Sequence, residues 1–201
     1  VGLSRAAVEM PHNVLLPITP VDLRAIRRML ALEAAERWTI GGANCYRLTD
    51  PDSRFAVVGP AVGAPVAAVV LENLAALGVR RVIGFGWCGS LQRSLKIGAL
   101  VVPNRAVREE GTSYHYLPAG ATPEASPDLV QTLLAACEAA GRPALTGTVW
   151  TTDALYREAR AKVSAFHAQG VLGVEMETSA IFAVANRLGL ESAVLLLVSD
   201  E

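Results

Sequence analysis

Apolar runs rich in valine and isoleucine alternate along the chain with stretches in which apolar residues recur every three or four positions. The first pattern marks buried strands and the second amphipathic helices, so the chain reads as α/β. Thr19 before Pro20 has the form of an N-cap followed by proline at the first helical position. Leu23, Ile26, Arg27 and Leu30 then continue at helical spacing, predicting a helix to about Ala35. Strands are predicted at Asn44–Leu48 and Phe55–Gly59, and a helix from about Pro65 to Leu77 with Gly78 as its left-handed stop. A strand at Arg81–Phe85 follows, then two more at Ala99–Pro103 and Ala106–Glu109, and a long polar loop to Pro127. Beyond it come a helix to about Ala140, a strand at Ala144–Thr151 and a helical stretch to Gln169. Strand Val171–Glu175, helix Thr178–Leu188 stopped by Gly189, and strand Ser192–Val198 complete the pattern. There is no internal repeat or low-complexity linker, so one domain over residues 1–201 is expected.

Composition sharpens this picture. Hydrophobic residues make up 52% of the 201 and charged residues 18%, against a usual charged share of about 25%. The apolar surplus calls for a large core plus a subunit interface, and hence a homo-oligomer. A mean hydropathy of +0.35 and a net charge of −1 exclude intrinsic disorder. With 18 basic residues against 19 acidic ones, no nucleic-acid partner is expected. Cys45, Cys88 and Cys137 show no CxxC spacing, so neither a disulfide framework nor a metal site is predicted, and a reducing cytoplasm fits. The uncharged run Phe55–Leu71 approaches a membrane span in length, but Gly59, Pro60, Gly63 and Pro65 divide it into strand, turn and helix start. No membrane association and no secretory segment are expected.

Gly84-Phe85-Gly86-Trp87-Cys88-Gly89 fits the G-x-G-x-x-G spacing after a strand, with Glu109 downstream as a dinucleotide fingerprint would have it. That fingerprint needs a helix opening at its third glycine. Only Ser90 to Lys96 separate it from Gly98 and the next strand, too little for a crossover helix, so no nicotinamide cofactor is expected. The glycines serve either tight packing or close approach of backbone to a small ligand at a strand's carboxyl end.

Gly173-Val174-Glu175-Met176-Glu177 puts two carboxylates where a buried strand gives way to a helix. Helix N-termini favour acids, which accounts for at least one of them. A carboxylate there can also accept two hydrogen bonds from a vicinal diol, and a thioether offers an apolar surface to a sugar. Ser199-Asp200 follows the last predicted strand. Asp200 either caps a helix or, with its pKa raised by partial burial, delivers a proton to a leaving group. In Glu109–Tyr116, Tyr114 and His115 either face a substrate or pack at a subunit contact. His12 and His167 are assigned no role.

Together Val174-Glu175-Met176-Glu177, the later Val198-Ser199-Asp200 and the Gly86-x-x-Gly89 turn resemble the nucleoside phosphorylase superfamily. That superfamily holds purine and uridine phosphorylases and the nucleosidases of adenosylhomocysteine and methylthioadenosine. The resemblance runs from about Leu15 onward and is sharpest at Val57–Pro103 and Gly147–Glu201. It implies a mixed central sheet flanked by helices in three layers, assembled as dimers, trimers or hexamers. It also implies cleavage of a nucleoside's N-glycosidic bond without a metal or redox cofactor, with phosphate as co-substrate in the phosphorylases. By this resemblance Glu177 holds the ribose hydroxyls beside Glu175, Met176 packs on the sugar, and Asp200 assists a purine base in leaving. Trp87, Cys88 and Gly89 line sugar and base, and Leu155 stands where an aromatic flanks the base. A further helix after Asp200 is also implied, so the domain is expected to lack the family's C-terminal helix.

Departures from the pattern bear on the acceptor. Where family phosphorylases carry Gly-Asp-Pro-x-Arg, this chain has Ile18-Thr19-Pro20-Val21-Asp22. A second arginine position falls on Gly84 and a serine or threonine position on Trp87. A dianion needs cations and backbone donors, so the balance tips towards water. Asp22 falls where the nucleosidases place a water-activating acid, although acids are common in a first helical turn. Arg24, Arg47, Arg105 and Arg108 are the cations that a displaced phosphate site would draw on. A nucleoside-cleaving enzyme is expected; the alternative is a non-catalytic nucleoside-binding or sensing protein.

Overall fold

The computed structural model describes residues 10–32, 37–47 and 54–201. In it the α/β expectation holds: nine strands and five α-helices are found among the described residues. β1 (Asn13–Pro17) is followed by α1 (Pro20–Met29), β2 (Arg37–Ile40), β3 (Ala43–Arg47), β4 (Phe55–Gly59) and α2 (Ala64–Ala76). Then come β5 (Arg81–Ser90), β6 (Leu100–Glu109), a 3-10 turn at Ser113–His115, α3 (Pro127–Ala139), β7 (Ala144–Thr152) and α4 (Arg160–Ala168). β8 (Gly173–Glu175), α5 (Thr178–Leu188) and β9 (Glu191–Asp200) complete the order.

The strands form one mixed sheet in the order β2-β3-β4-β1-β5-β8-β7-β6-β9, and β9 also pairs with β5. Its second half, β5-β8-β7-β6-β9, therefore closes on itself. β1 lies parallel between β4 and β5, with Leu15 opposite both Val57 and Ile83. β9 runs parallel to β5 along its length, with a register shift between Cys88 and Gly89 that sets Asp200 opposite Gly89. α2 and α5 pack on each other over this sheet. Leu71, Leu74, Ile181 and Phe182 join Leu16, Val82 and Val194 in a single buried cluster. α5 is buried from Thr178 through Ala185, which explains why so little of it is polar. No helix among the described residues is long and apolar enough to cross a membrane.

Several boundaries differ from those expected, each for a physical reason. α1 stops at Met29, not near Ala35, because Ala31 takes a φ of 49° and ends the helix. The edge strand β2 was not expected, and residues 33–36 before it lie outside the described residues. Leu48 lies outside the described residues. The two strands expected on either side of Asn104 are one, β6, with an irregularity between Pro103 and Arg105. Proline lacks the N–H a ladder needs, and a bulge lets one strand carry it.

The glycine-rich segment is likewise not a turn after a strand but the second half of β5. A Cβ on Gly84 would lie 3.1 Å from Val194, and one on Gly86 3.0 Å from Ile18. Tight packing is thus the role of these two glycines, and no crossover helix follows. β9 extends through Asp200, so Ser199 and Asp200 belong to the strand itself and do not follow it. Helix stops were read correctly: Gly78 and Gly189 take φ values of 87° and 70°.

Candidate active site

The carboxyl ends of β1, β5, β8 and β9 meet around a cleft of about 290 Å³. β1 brings Ile18 and Thr19, β5 brings Trp87, Cys88 and Gly89, β8 leads into Glu175, Met176 and Glu177, and β9 supplies Ser199 and Asp200. Leu155 and Glu158, from the segment after β7, and Val62, before α2, complete the wall.

The two glutamates have separate duties. The Glu175 side chain turns back under the N-terminus of α5, accepting hydrogen bonds from the backbone N–H groups of Glu177 and Thr178, both at 2.7 Å. Its other oxygen accepts the Thr151 hydroxyl at 2.5 Å. Acids at a helix N-terminus serve the unpaired amides, and that reading accounts for Glu175. It does not account for Glu177, whose side chain reaches across the cleft wall to accept the Gly63 N–H at 2.5 Å. Gly63 holds a φ of 86°, a conformation that suits glycine.

Burial and the neighbouring Glu175 charge push the Glu177 carboxyl up to about 8. Burial likewise raises Glu175, against the hydrogen bonds from Thr151 and the α5 amides that lower it. Burial pushes the Cys88 thiol up to about 12, with Glu175 and Asp200 adding to it, so Cys88 is a wall residue and not a nucleophile. Glu158 is also raised, first by burial and then by Asp200. The partial burial expected of Asp200 is not met: it is exposed at the rim, where its carboxylate accepts the Ser199 hydroxyl at 2.6 Å. A Cβ on Gly89 would come within 2.9 Å of the Asp200 carboxylate, so this glycine makes room for the acid.

Asp22 is buried behind the cleft wall and does not line it. The Trp87 indole N–H donates to one of its oxygens at 3.0 Å and the Thr19 hydroxyl to the other at 2.6 Å. Tyr114 and His115 do not line the cleft either; the Tyr114 ring lies under the Arg108 guanidinium, 4.0 Å from its centre. Arg108 is engaged by the Ser113 hydroxyl and the carbonyls of Leu117, Pro118 and Ala121. Arg24 is exposed on α1, and Arg105 lies at a separate hollow beside Glu124 and Gln131. The side chain of Arg47 lies outside the described residues.

Sequence reasoning missed Gly63, Thr151, Ser179, Glu110 and Glu158. The first four form the support of the two glutamates. The Ser179 N–H donates to Thr151 at 2.9 Å, and its hydroxyl donates to the buried Glu110 at 2.8 Å. Glu110 also accepts the Ser113 N–H at 2.9 Å. Their one advance signal is a run of polar residues within otherwise apolar surroundings, at Thr151-Thr152 and Thr178-Ser179. No group of His, Cys, Asp and Glu suited to holding a metal occurs among the described residues.

The structure brings Glu177, Met176, Trp87, Cys88, Gly89, Leu155 and Asp200 to one cleft at the end of a mixed sheet. The chain belongs to the phosphorylase superfamily. The family's model matches residues 18–201. Among relatives, a guanosine phosphorylase from Halorubrum lacusprofundi is 32% identical over 137 residues, which span 68% of this chain and 57% of that protein. A DeoD-type purine nucleoside phosphorylase from Bacillus thuringiensis is 28% identical over 194 residues, 96% of this chain and 83% of the relative. The structure of a uridine phosphorylase from Vibrio fischeri superposes with a TM-score of 0.84 at 25% identity, covering 94% of this chain and 78% of that one. An AMP nucleosidase from Bacteroides thetaiotaomicron shares the fold at a TM-score of 0.83 and 23% identity, over 95% and 78% of the two chains.

Proposed function

We propose that this superfamily member cleaves the N-glycosidic bond of a nucleoside and releases the free base. The observation that carries this is the Glu177 carboxyl group, 6% exposed yet lining a cleft whose other walls include Met176, Trp87 and Asp200. A ribose laid on the Met176 thioether presents its two adjacent hydroxyls to Glu177. As the C1′–N bond opens, positive charge grows on the ribosyl ring, and the Glu177 carboxyl oxygens are the polar groups held against it, with Glu175 fixing the start of α5 behind them. Asp200 at the rim, which accepts the Ser199 hydroxyl, is in this reading the hydrogen-bond acceptor for a protonated atom of the departing base. Leu155 and Trp87 are the flat and apolar surfaces for that base. The acceptor of the ribosyl group is phosphate or water. Self-association belongs to the same reading: Val62, Val66 and Val69 are exposed along the start of α2, next to the cleft.

A nucleoside panel incubated with the protein, with and without inorganic phosphate, tests this by chromatography of the free base. Base is expected from at least one nucleoside, with the rate about 100-fold lower in Glu177→Gln, a loss of about 2.7 kcal/mol. Binding without release of base would leave a nucleoside sensor in place of the enzyme.

A further inference from the structure

Resting on that reading of the cleft, we propose that Asp22 is a positioning residue: it locks the Trp87 indole in place as the aromatic platform on which the base of a bound nucleoside stacks. Trp87 is the one aromatic side chain among the described residues that line the cleft, and it is 41% exposed there. A half-exposed indole near the end of a strand exchanges between rotamers unless its far edge is held.

The holder comes from another element. The indole N–H donates to Asp22 Oδ1 at 3.0 Å, across 65 positions of chain. The second carboxylate oxygen accepts the Thr19 hydroxyl at 2.6 Å, and the Thr19 oxygen in turn accepts the Asp22 N–H at 3.1 Å as the cap of α1. Leu23, the next residue, is buried with Tyr46 and Val57, which pins the first turn of α1 to the sheet. Asp22 is therefore fixed at its backbone and at both carboxylate oxygens. An indole has one N–H donor and no acceptor, so a carboxylate matches it at that edge and leaves the ring faces free of polar partners.

Burial separates a latch from an incidental contact. Asp22 is 6% exposed although it does not line the cleft, and taking a carboxyl group out of water costs free energy that its hydrogen bonds must offset. A half-exposed indole gives its N–H to water at no such cost. What the buried acid supplies and water does not is a single orientation. With the indole immobile, its ring is in place before the ligand arrives, so stacking a planar base on it forfeits little side-chain freedom. The division of labour within the cleft is then a thioether for the sugar and an indole for the base.

Inosine, adenosine and uridine, each alongside its free base, are titrated into the protein while the Trp87 emission is followed, with the Trp87→Phe spectrum as the reference for Trp38 and Trp150. At least one nucleoside is expected to quench Trp87. Trp87→Leu is expected to bind that nucleoside and its base at least about tenfold more weakly, and Trp87→Phe less so, because only the first removes the stacking ring. Asp22→Ala is expected to weaken nucleoside and base by the same factor, about three- to tenfold, and Asp22→Asn, whose amide oxygen still accepts the indole N–H, to restore most of it. An acid that activates water would instead lose kcat in both variants at unchanged KM. On the Trp87→Phe background, Asp22→Ala is expected to cost no further affinity, since phenylalanine gives Asp22 nothing to hold; additive losses overturn the latch. Trp87 is half-exposed, so its variants decide the matter should Asp22→Ala fail to fold. Wild-type affinity in Trp87→Leu overturns the proposal and leaves the reading of the cleft standing. Quenching without release of base keeps the platform and removes the enzyme. If no nucleoside or base binds the wild-type protein, both fall.

Discussion

Glu177 shows how one residue's surroundings decide its chemistry. Its neighbour Glu175 sits two positions away with the same side chain, yet it is consumed by the α5 amides while Glu177 is left facing the cleft. The folded protein raises Glu177 from the ordinary carboxyl value of 4.5 to about 8. Between those values the folded state holds a proton that the unfolded state has lost, so stability falls as pH rises through this window. Denaturant unfolding at a series of pH values is expected to show this decline, with a slope of up to about 1.4 kcal/mol per pH unit for one proton. Glu177→Gln is expected to flatten it. A wild-type stability that rises between pH 5 and 8 would contradict the assignment.

At the scale of elements, the site depends on a relay of polar groups between the 3-10 segment and α5. Arg108 holds Ser113, Ser113 and Ser179 hold Glu110, and Ser179 reaches Glu175 through Thr151. Every member but Arg108 is buried. Replacing Glu110 by alanine leaves the Ser113 amide and the Ser179 hydroxyl without partners, each costing about 1–3 kcal/mol. The expected outcome of Glu110→Ala is a comparable loss in unfolding free energy together with faster amide hydrogen exchange at residues 113–121. Unchanged exchange there would show that the relay does not hold the loop. The strand ends were legible in outline, since Val171–Glu175 and Thr178–Leu188 bracket the glutamates almost as found. The relay was not, because its members are far apart in the chain and each alone reads as an ordinary polar residue.

For the molecule as a whole, closure of β5-β8-β7-β6-β9 sets the strand ends around one cleft. β8 is the short link, pairing with β5 only at Gly89–Val174 and Ser90–Gly173. A Cβ on Gly173 would fall 2.7 Å from the carbonyl oxygen of Gly89, a backbone atom that cannot swing aside. Gly173→Ala is therefore expected to lower stability by about 1–3 kcal/mol, the usual cost of overpacking, and to weaken nucleoside binding by moving Glu175–Glu177. A variant with unchanged thermal unfolding and affinity would show that closure is not what places the site. By itself the sequence determined the α/β class, most helix stops, Thr19 as a cap, and the strand-to-helix passage at Glu175–Glu177, because periodicity, turn chemistry and local acid spacing are properties of neighbouring residues. Only the tertiary structure decided that the glycine segment is a strand packed against Ile18 and Val194. It alone turned Asp22 behind Trp87, and it alone assigned one glutamate to a helix end and the other to the cleft. Those outcomes rest on contacts between residues tens of positions apart, where burial and competition for hydrogen-bond donors, and not local preference, set the energy.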